Sequence, residues 1–230
     1  MTIGIIGAMD EEVELLQNSM TIDSTEEIAG CHFSKGILEG KEVVLLKSGI
    51  GKVNAAMATT ILHERYQPKL IINTGSAGGF AEQLDVGDLV ISAEVTHNDV
   101  DVTAFDYVFG QVPGLPATYK ADARLIELAL EATQQISSCK AVTGLIATGD
   151  SFMQDESKVN FIRGKFPEMI AAEMEAAAIA QVSYQYDTPF VVIRALSDIA
   201  GKESSVSFDA FLEKAATNAA TLIINIIKQL

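Results

Sequence analysis

Seven apolar runs of strand length punctuate the chain: IGIIGA, VVLLKSG, KLIINTG, DLVISAEVT, AVTGLIATG, EMIAAEM and FVVIRALSD. Most are continuous and rich in β-branched residues. Strict alternation would mark a sheet with one wet face, whereas a continuous run suits strands buried on both faces. Helix-like stretches follow several of them: EEVELLQNSM, KVNAAMATTILHERY, ADARLIELALEATQQI, EAAAIAQVSYQY and a last one through AFLEKAATNAATLIINIIKQL. In the last, Phe211, Ala215, Leu222 and Ile226 keep helical spacing. Strands alternating with helices, and no Pro/Ser-rich linker, repeat or low-complexity block, predict one α/β domain over residues 1–230 with a largely parallel or mixed sheet.

Charge narrows the partners. The chain has 16 basic against 31 acidic residues, a formal charge of -15. Such a surface repels phosphate backbones and anionic lipid, which argues against nucleic acid and membrane partners. No apolar run approaches the ~20 residues that span a bilayer. The opening MTIGIIGAMDEE turns acidic at once and lacks the basic start of a signal peptide, so a cytoplasmic location is expected. Cys31 and Cys139 match no redox or metal spacing and read as two buried thiols. His32, His63 and His97 form no ligand pair, so a metal site has little support, and no cofactor is expected either.

In sheets of this kind, ligands sit beyond the carboxyl ends of the strands. GIIGAM has GxxG without the dinucleotide GxGxxG, and GIGKVN lacks the GxxxxGK[ST] phosphate loop. NTGSAGGF is richer: three glycines and small residues directly after a strand allow a ligand close to the backbone, although a plain turn explains them equally well. Acids recur at the same edge, with Asp10, Glu11 and Glu12 after the first strand, Glu173 and Glu175 after EMIAA, and Asp198 ending FVVIRALSD. Each also falls at an expected helix start, where the helix dipole favours negative charge. Spacing alone does not choose between the dipole and a shared pocket.

The motifs GAMDEE, SGIGKVNAA, NTGSAGGF, ATGDSFM, AAEMEAAAIA and RALSDIA, in this order, resemble the 5′-methylthioadenosine/S-adenosylhomocysteine nucleosidase family of the nucleoside phosphorylase superfamily. The resemblance runs from the first strand to the last helix. It implies a three-layer αβα sandwich around a twisted mixed sheet. It also implies hydrolysis of the N-glycosidic bond of methylthioadenosine and adenosylhomocysteine, and of 5′-deoxyadenosine, in methionine salvage and methyl-cycle recycling.

Carried over by position, Glu12 activates the attacking water and Asp198 donates a proton toward N7 of adenine. Glu175 binds the ribose hydroxyls, Met174 packs on the sugar, Phe152 stacks on the purine and Met153 offers it backbone hydrogen bonds. Met153 replaces the aliphatic residue usual in the family, which leaves a main-chain contact intact. Met9, Ile50, Ser76, Gly78, Glu173, Ser197 and Phe208 complete the implied substrate contacts. The resemblance further implies a homodimer in which the neighbour's HNDVDVTAFDY and VPGLP segments close the pocket with Val102, Phe105 and Pro113.

AAEMEAAAIA sharpens the division of labour. Two residues apart face one way on a strand but diverge by about 200° on a helix. With the strand-to-helix transition falling there, Glu175 is expected at the pocket and Glu173 as its support or as a helix cap. Glycosidic cleavage through an oxocarbenium-like state needs an acid at the leaving group and a base for water, roles that carboxylates in different environments can divide. For Asp198 to act as the acid, desolvation, neighbouring acids or the bound purine must favour its protonated form. Its plain alternative is a cap on a short helix from Ile199.

Related phosphorylases place arginines in the first loop and before the Gly-rich turn. This chain has Met9 to Glu12, and Asn73 and Thr74, at those places, which suits water rather than phosphate. An aminodeoxyfutalosine hydrolase shares the acids, and a non-catalytic nucleoside-binding module would share the pocket.

Overall fold

The computed structural model describes residues 1–134, 136, 139–200 and 204–230, with side chains in the last stretch at 208 and 210–230. Strand β1 (Ile3–Gly7) leads into α1 (Asp10–Ser19), then β2 (Thr21–Ile28), β3 (Cys31–Leu38) and β4 (Lys41–Lys47). Helix α2 (Lys52–Tyr66) precedes β5 (Leu70–Gly79) and β6 (Leu89–His97), and a 3-10 turn at Thr103–Phe105 precedes β7 (Tyr119–Lys120). The remainder is α3 (Ala123–Thr133), β8 (Ala141–Thr148), α4 (Glu156–Lys165), β9 (Met169–Glu173), α5 (Ala176–Gln185), β10 (Phe190–Ile199) and α6 (Ser204–Gln229).

All ten strands join one mixed sheet. β1 lies between β4 and β5, parallel to both, and β3 and β2 extend that side antiparallel. The other side closes on itself. β5 pairs with β10, β10 with β6, β6 with β8 and β8 with β9, and β9 returns to β5. This closure matters for the pocket, because Gly78 of β5 lies opposite Ala172 of β9 and also opposite Asp198 of β10. Two distant strand ends are thereby fixed beside one backbone. A bulge between Leu196 and Asp198 re-aims the end of β10, a device common beside active sites.

Both faces of the sheet are covered, as the continuous apolar runs require. Ile3, Ile5, Val43, Leu45, Ile72 and Val191 point to a layer holding α1, α3 and α6. Ile6, Val44, Leu46, Ile71, Val90 and Val192 point the other way, onto α2 and α5. The alanines of α5 are all buried, and their small volume lets that helix sit close to α2 and to the sheet. The result is the αβα sandwich expected above.

Several elements depart from the sequence reading. β2 was not anticipated because TIDSTEEI is exposed up to its last residue, the half-buried Ile28, and carries no buried face. Its acids Asp23, Glu26 and Glu27 suit an edge that must not pair with another chain. α4 buries only Val159 and Ile162, too few for a readable stripe. α3 runs Ala123–Thr133, shorter than the expected stretch through Ile136: Gln134 is a turn, Ile136 is not helical, and 135 lies outside the described residues. Cys31 is buried, as expected, but Cys139 is only half-buried. Contrary to the sequence reading, the Ala210–Gln229 part of α6 is long and apolar enough to cross a membrane by length and composition. Its Ala215, Ala219, Leu222, Ile223, Ile226 and Ile227 are nevertheless packed into the core.

Candidate active site

A cavity of about 350 Å³ opens where β1, β5, β9 and β10 end. It brings together Met9, Glu12, Ile50, Ser76, Gly78, Phe152, Met153, Glu173, Met174, Glu175, Ser197, Asp198 and Phe208, every residue expected there from this chain. Ala8, Ala77, Ser151 and Ala172 also line it and had not been anticipated, since small residues carry no chemical signal. Val102, Phe105 and Pro113 are not among its walls. They lie in the segment between β6 and β7, where Phe105 is 74% exposed and Pro113 is exposed.

Glu12 is the third residue of α1 and is buried. One oxygen accepts from the backbone N–H of Ala8 at 2.8 Å and of Met9 at 3.3 Å. The other accepts from Ser76, through its N–H at 2.9 Å and its hydroxyl at 3.1 Å. Four donors from two chain segments hold the carboxylate, which keeps its place in the first turn of α1, with the Met9 bond as a capping contact, while it faces the cavity. Gly75 permits the approach. A Cβ there would stand 2.6 Å from Glu12 Oε1 and 2.2 Å from Arg194 Nη1.

The two glutamates of AAEMEAAAIA do different things. Glu173 ends β9 and lines the cavity, yet both its oxygens are held by protein. Thr148 Oγ1 donates to Oε1, while Oε2 accepts from the N–H groups of Glu175 (2.9 Å) and Ala176 (2.8 Å) and from Arg194 Nη2. The support-or-cap expectation thus describes its contacts. Glu175 stands at the N-cap of α5 and accepts a hydrogen bond from Gly51 N–H at 2.9 Å. Burial pushes its carboxyl up to about 7. The nearby Arg194 pulls against that rise, Glu173 and Glu12 add to it, and Gly51 opposes it weakly.

Sequence reasoning passed over Arg194. It is 1% exposed and lies between Glu173 and Glu175, with Nη2 3.6 Å from Glu175 Oε2 and 2.8 Å from Asn73 Oδ1. Its Nη1 donates to the Thr74 and Ser76 carbonyls, both at 3.4 Å. A signal existed: an arginine inside the continuous strand run FVVIRALSD cannot be buried without anionic partners.

Asp198 is 2% exposed and lies within β10, not at a helix start, so the capping alternative fails. Its Oδ1 accepts from Ser197 Oγ at 2.9 Å. Phe152, 43% exposed, meets Phe208 edge to face with centroids 5.8 Å apart, and Met153 is buried beneath. An aromatic edge, a sulfur-lined wall and four carboxyl groups lining one cavity suit a flat heteroaromatic ring joined to a polyol.

The model of the phosphorylase superfamily matches residues 2–228. A 5′-methylthioadenosine/S-adenosylhomocysteine nucleosidase from Oceanobacillus iheyensis is 65% identical over 230 residues, all of both chains. The crystal structure of such a nucleosidase from Colwellia psychrerythraea in complex with adenine superposes with a TM-score of 0.98 at 52% identity, covering 100% of this chain and 96% of that one. Its counterpart from Neisseria meningitidis in complex with methylthio-immucillin-A gives 0.97 at 48% identity, covering 100% and 99%.

Proposed function

This chain belongs to the 5′-methylthioadenosine/S-adenosylhomocysteine nucleosidases of the phosphorylase superfamily, and on that premise we propose how its pocket works. The enzyme hydrolyses the N-glycosidic bond of 5′-methylthioadenosine and S-adenosylhomocysteine, releasing adenine and the 5-substituted ribose. We extend the same chemistry to 5′-deoxyadenosine, whose smaller 5′ group fits the same wall, and to a role in methionine salvage and methyl-cycle recycling within the cytoplasm, as one domain spanning residues 1–230.

The observation that carries the mechanism is the convergence of Glu12, Glu173, Glu175 and Asp198 on one cavity, with Arg194 buried against Glu173 and Glu175. Arg194 already faces two carboxylates, and no lysine or arginine is among the described residues lining the pocket to greet a phosphate dianion. Water is the nucleophile such a site accepts. Glu12, held by Ala8, Met9 and Ser76, takes the proton of that water, and the rotatable Ser76 hydroxyl helps to orient it. Glu175 binds the ribose hydroxyls, and its charge stabilises the oxocarbenium-like sugar as the bond breaks. Asp198, oriented by Ser197, hands its proton to adenine N7 and makes the base a better leaving group. Phe152, Phe208 and the Met153 backbone hold the purine, and Met9, Met174 and Ile50 line the sugar and its apolar 5′ substituent.

The apolar rim, with Ile50 49% exposed, is proposed to be closed by a second copy of the chain. The partner's half-buried Val102 and exposed Phe105 and Pro113 would form that wall, at about 25 cal/mol per Å² of apolar surface removed from water.

Chromatography of products formed from 5′-methylthioadenosine, with phosphate present and absent, tests the reaction. Adenine and free 5-methylthioribose at a rate independent of phosphate are expected. A sugar 1-phosphate, or a rate that rises with phosphate, would overturn the hydrolytic reading.

A further inference from the structure

We propose that Glu173 is a positioning residue that holds Glu175 in place and, by occupying Arg194, sets how much cationic charge reaches it. The inference rests on the reading of Glu175 as the ribose-binding carboxylate. Its own basis is geometric. Glu173 Oε2 accepts from the backbone N–H of Glu175, so the residue that offers the ligand contact is pinned by its neighbour two positions earlier. The same oxygen binds Ala176 N–H and Arg194, and Oε1 is taken by Thr148, whose hydroxyl also accepts from Ala177 N–H at 2.8 Å. Three donors crowd Oε2 and Thr148 holds Oε1, so the contacts that fix Glu173 are all to protein although it lines the cavity. Glu173 and Glu175 both lie within 3.6 Å of one guanidinium nitrogen and therefore share its charge.

Other charges also face Glu175. Asp198 and Arg194 approach from β10, Glu173 from β9 and Glu12 from α1. Beyond the Gly51 amide stand Asp150 and the Lys52–Asp99 pair. Of these, only Glu173 both repels Glu175 and holds Arg194 in a direct ion pair. Removing its charge while keeping its shape should make Glu175 easier to ionise on both counts. Glu173→Gln meets that need. The amide oxygen can keep Arg194 and the two N–H donors, and its NH2 can donate to Thr148 Oγ1 once that hydroxyl turns.

The test is the pH dependence of kcat/KM for adenine release from 5′-methylthioadenosine, measured on the full chain. The acidic limb of Glu173→Gln is expected about one pH unit below that of the wild type, the scale of one nearby charge in a partly shielded site. Arg194→Lys keeps a charge but loses the fork that spans two carboxylates, so its limb should move to higher pH. A residue that merely capped α5 would cost stability and rate and leave the limb where it was. A Glu173→Gln limb that coincides with the wild type, or lies above it, would overturn the proposal. If Glu173→Gln does not fold, the Arg194→Lys profile decides, and an unmoved limb there rejects the idea. Failure of the wild type to release adenine would instead sink the nucleosidase reading, a different result.

Discussion

Replacing Glu175 by glutamine should make the protein more stable and far less active, and the gain should depend on pH in a stated way. Glu175 carries a carboxyl pushed up from 4.5 to about 7, first by burial and then by Glu173 and Glu12, with Arg194 opposing. Between those two values the folded state binds more protons than the unfolded one, so stability falls as pH rises. The favourable contribution is fully present below about pH 4.5 and is lost as pH climbs through about 7. A shift of that size corresponds to about 3 kcal/mol by pH 8, to order of magnitude, and to under about 1 kcal/mol at pH 5. Glutamine imitates the protonated form, can still accept from Gly51, and leaves Arg194 paired with Glu173. Urea unfolding of both proteins at pH 5 and pH 8, at one protein concentration, measures the difference. The variant should match the wild type closely at pH 5, exceed it by about 3 kcal/mol at pH 8, and lose ~10²-fold or more in turnover. A variant that is less stable at pH 8, or a difference that does not change with pH, would refute the reasoning. The cost assigned to Glu175 would then not be electrostatic, and the pocket would not be holding a carboxylate against its preference.

Three further tests address separate parts of the site. Asp198→Asn should fold normally by circular dichroism and still bind a substrate analogue, yet lose turnover by ~10² or more; near-normal kinetics would remove Asp198 from the mechanism. Gly75→Ala should destabilise the fold by about 2–5 kcal/mol in thermal unfolding, because its Cβ would collide with the buried Arg194 and Glu12, and an unchanged melting temperature would mean that the crowding there is easily relieved. Phe105→Asp should weaken self-association in light scattering and raise KM for 5′-methylthioadenosine, whereas a monomeric wild type with full activity would end the shared-pocket idea.

The sequence by itself determined the layers. Continuous β-branched runs such as KLIINTG and FVVIRALSD must be covered on both faces, and that local demand requires a largely parallel or mixed sheet flanked by helices. The order of the motifs determined the family, and the spacing in AAEMEAAAIA was enough to assign Glu173 and Glu175 to different jobs. Where apolar periodicity was missing, the sequence was mute. The exposed β2 edge is held by main-chain pairing with its hairpin partner β3, and the thinly buried α4 by packing on residues far along the chain. The tertiary structure alone decided how the acids meet. The sheet closes through the pairing of β9 with β5, and this sets Ala172 and Asp198 against the same glycine. It also decided the electrostatics. Arg194 reads in the sequence as one charge in an apolar strand, and only its burial between Glu173 and Glu175 turns it into the counter-ion they share. Hydrophobic periodicity is a property of neighbours along the chain and survives in one dimension, whereas strand closure and the dielectric around a charge depend on which distant segments come to surround it.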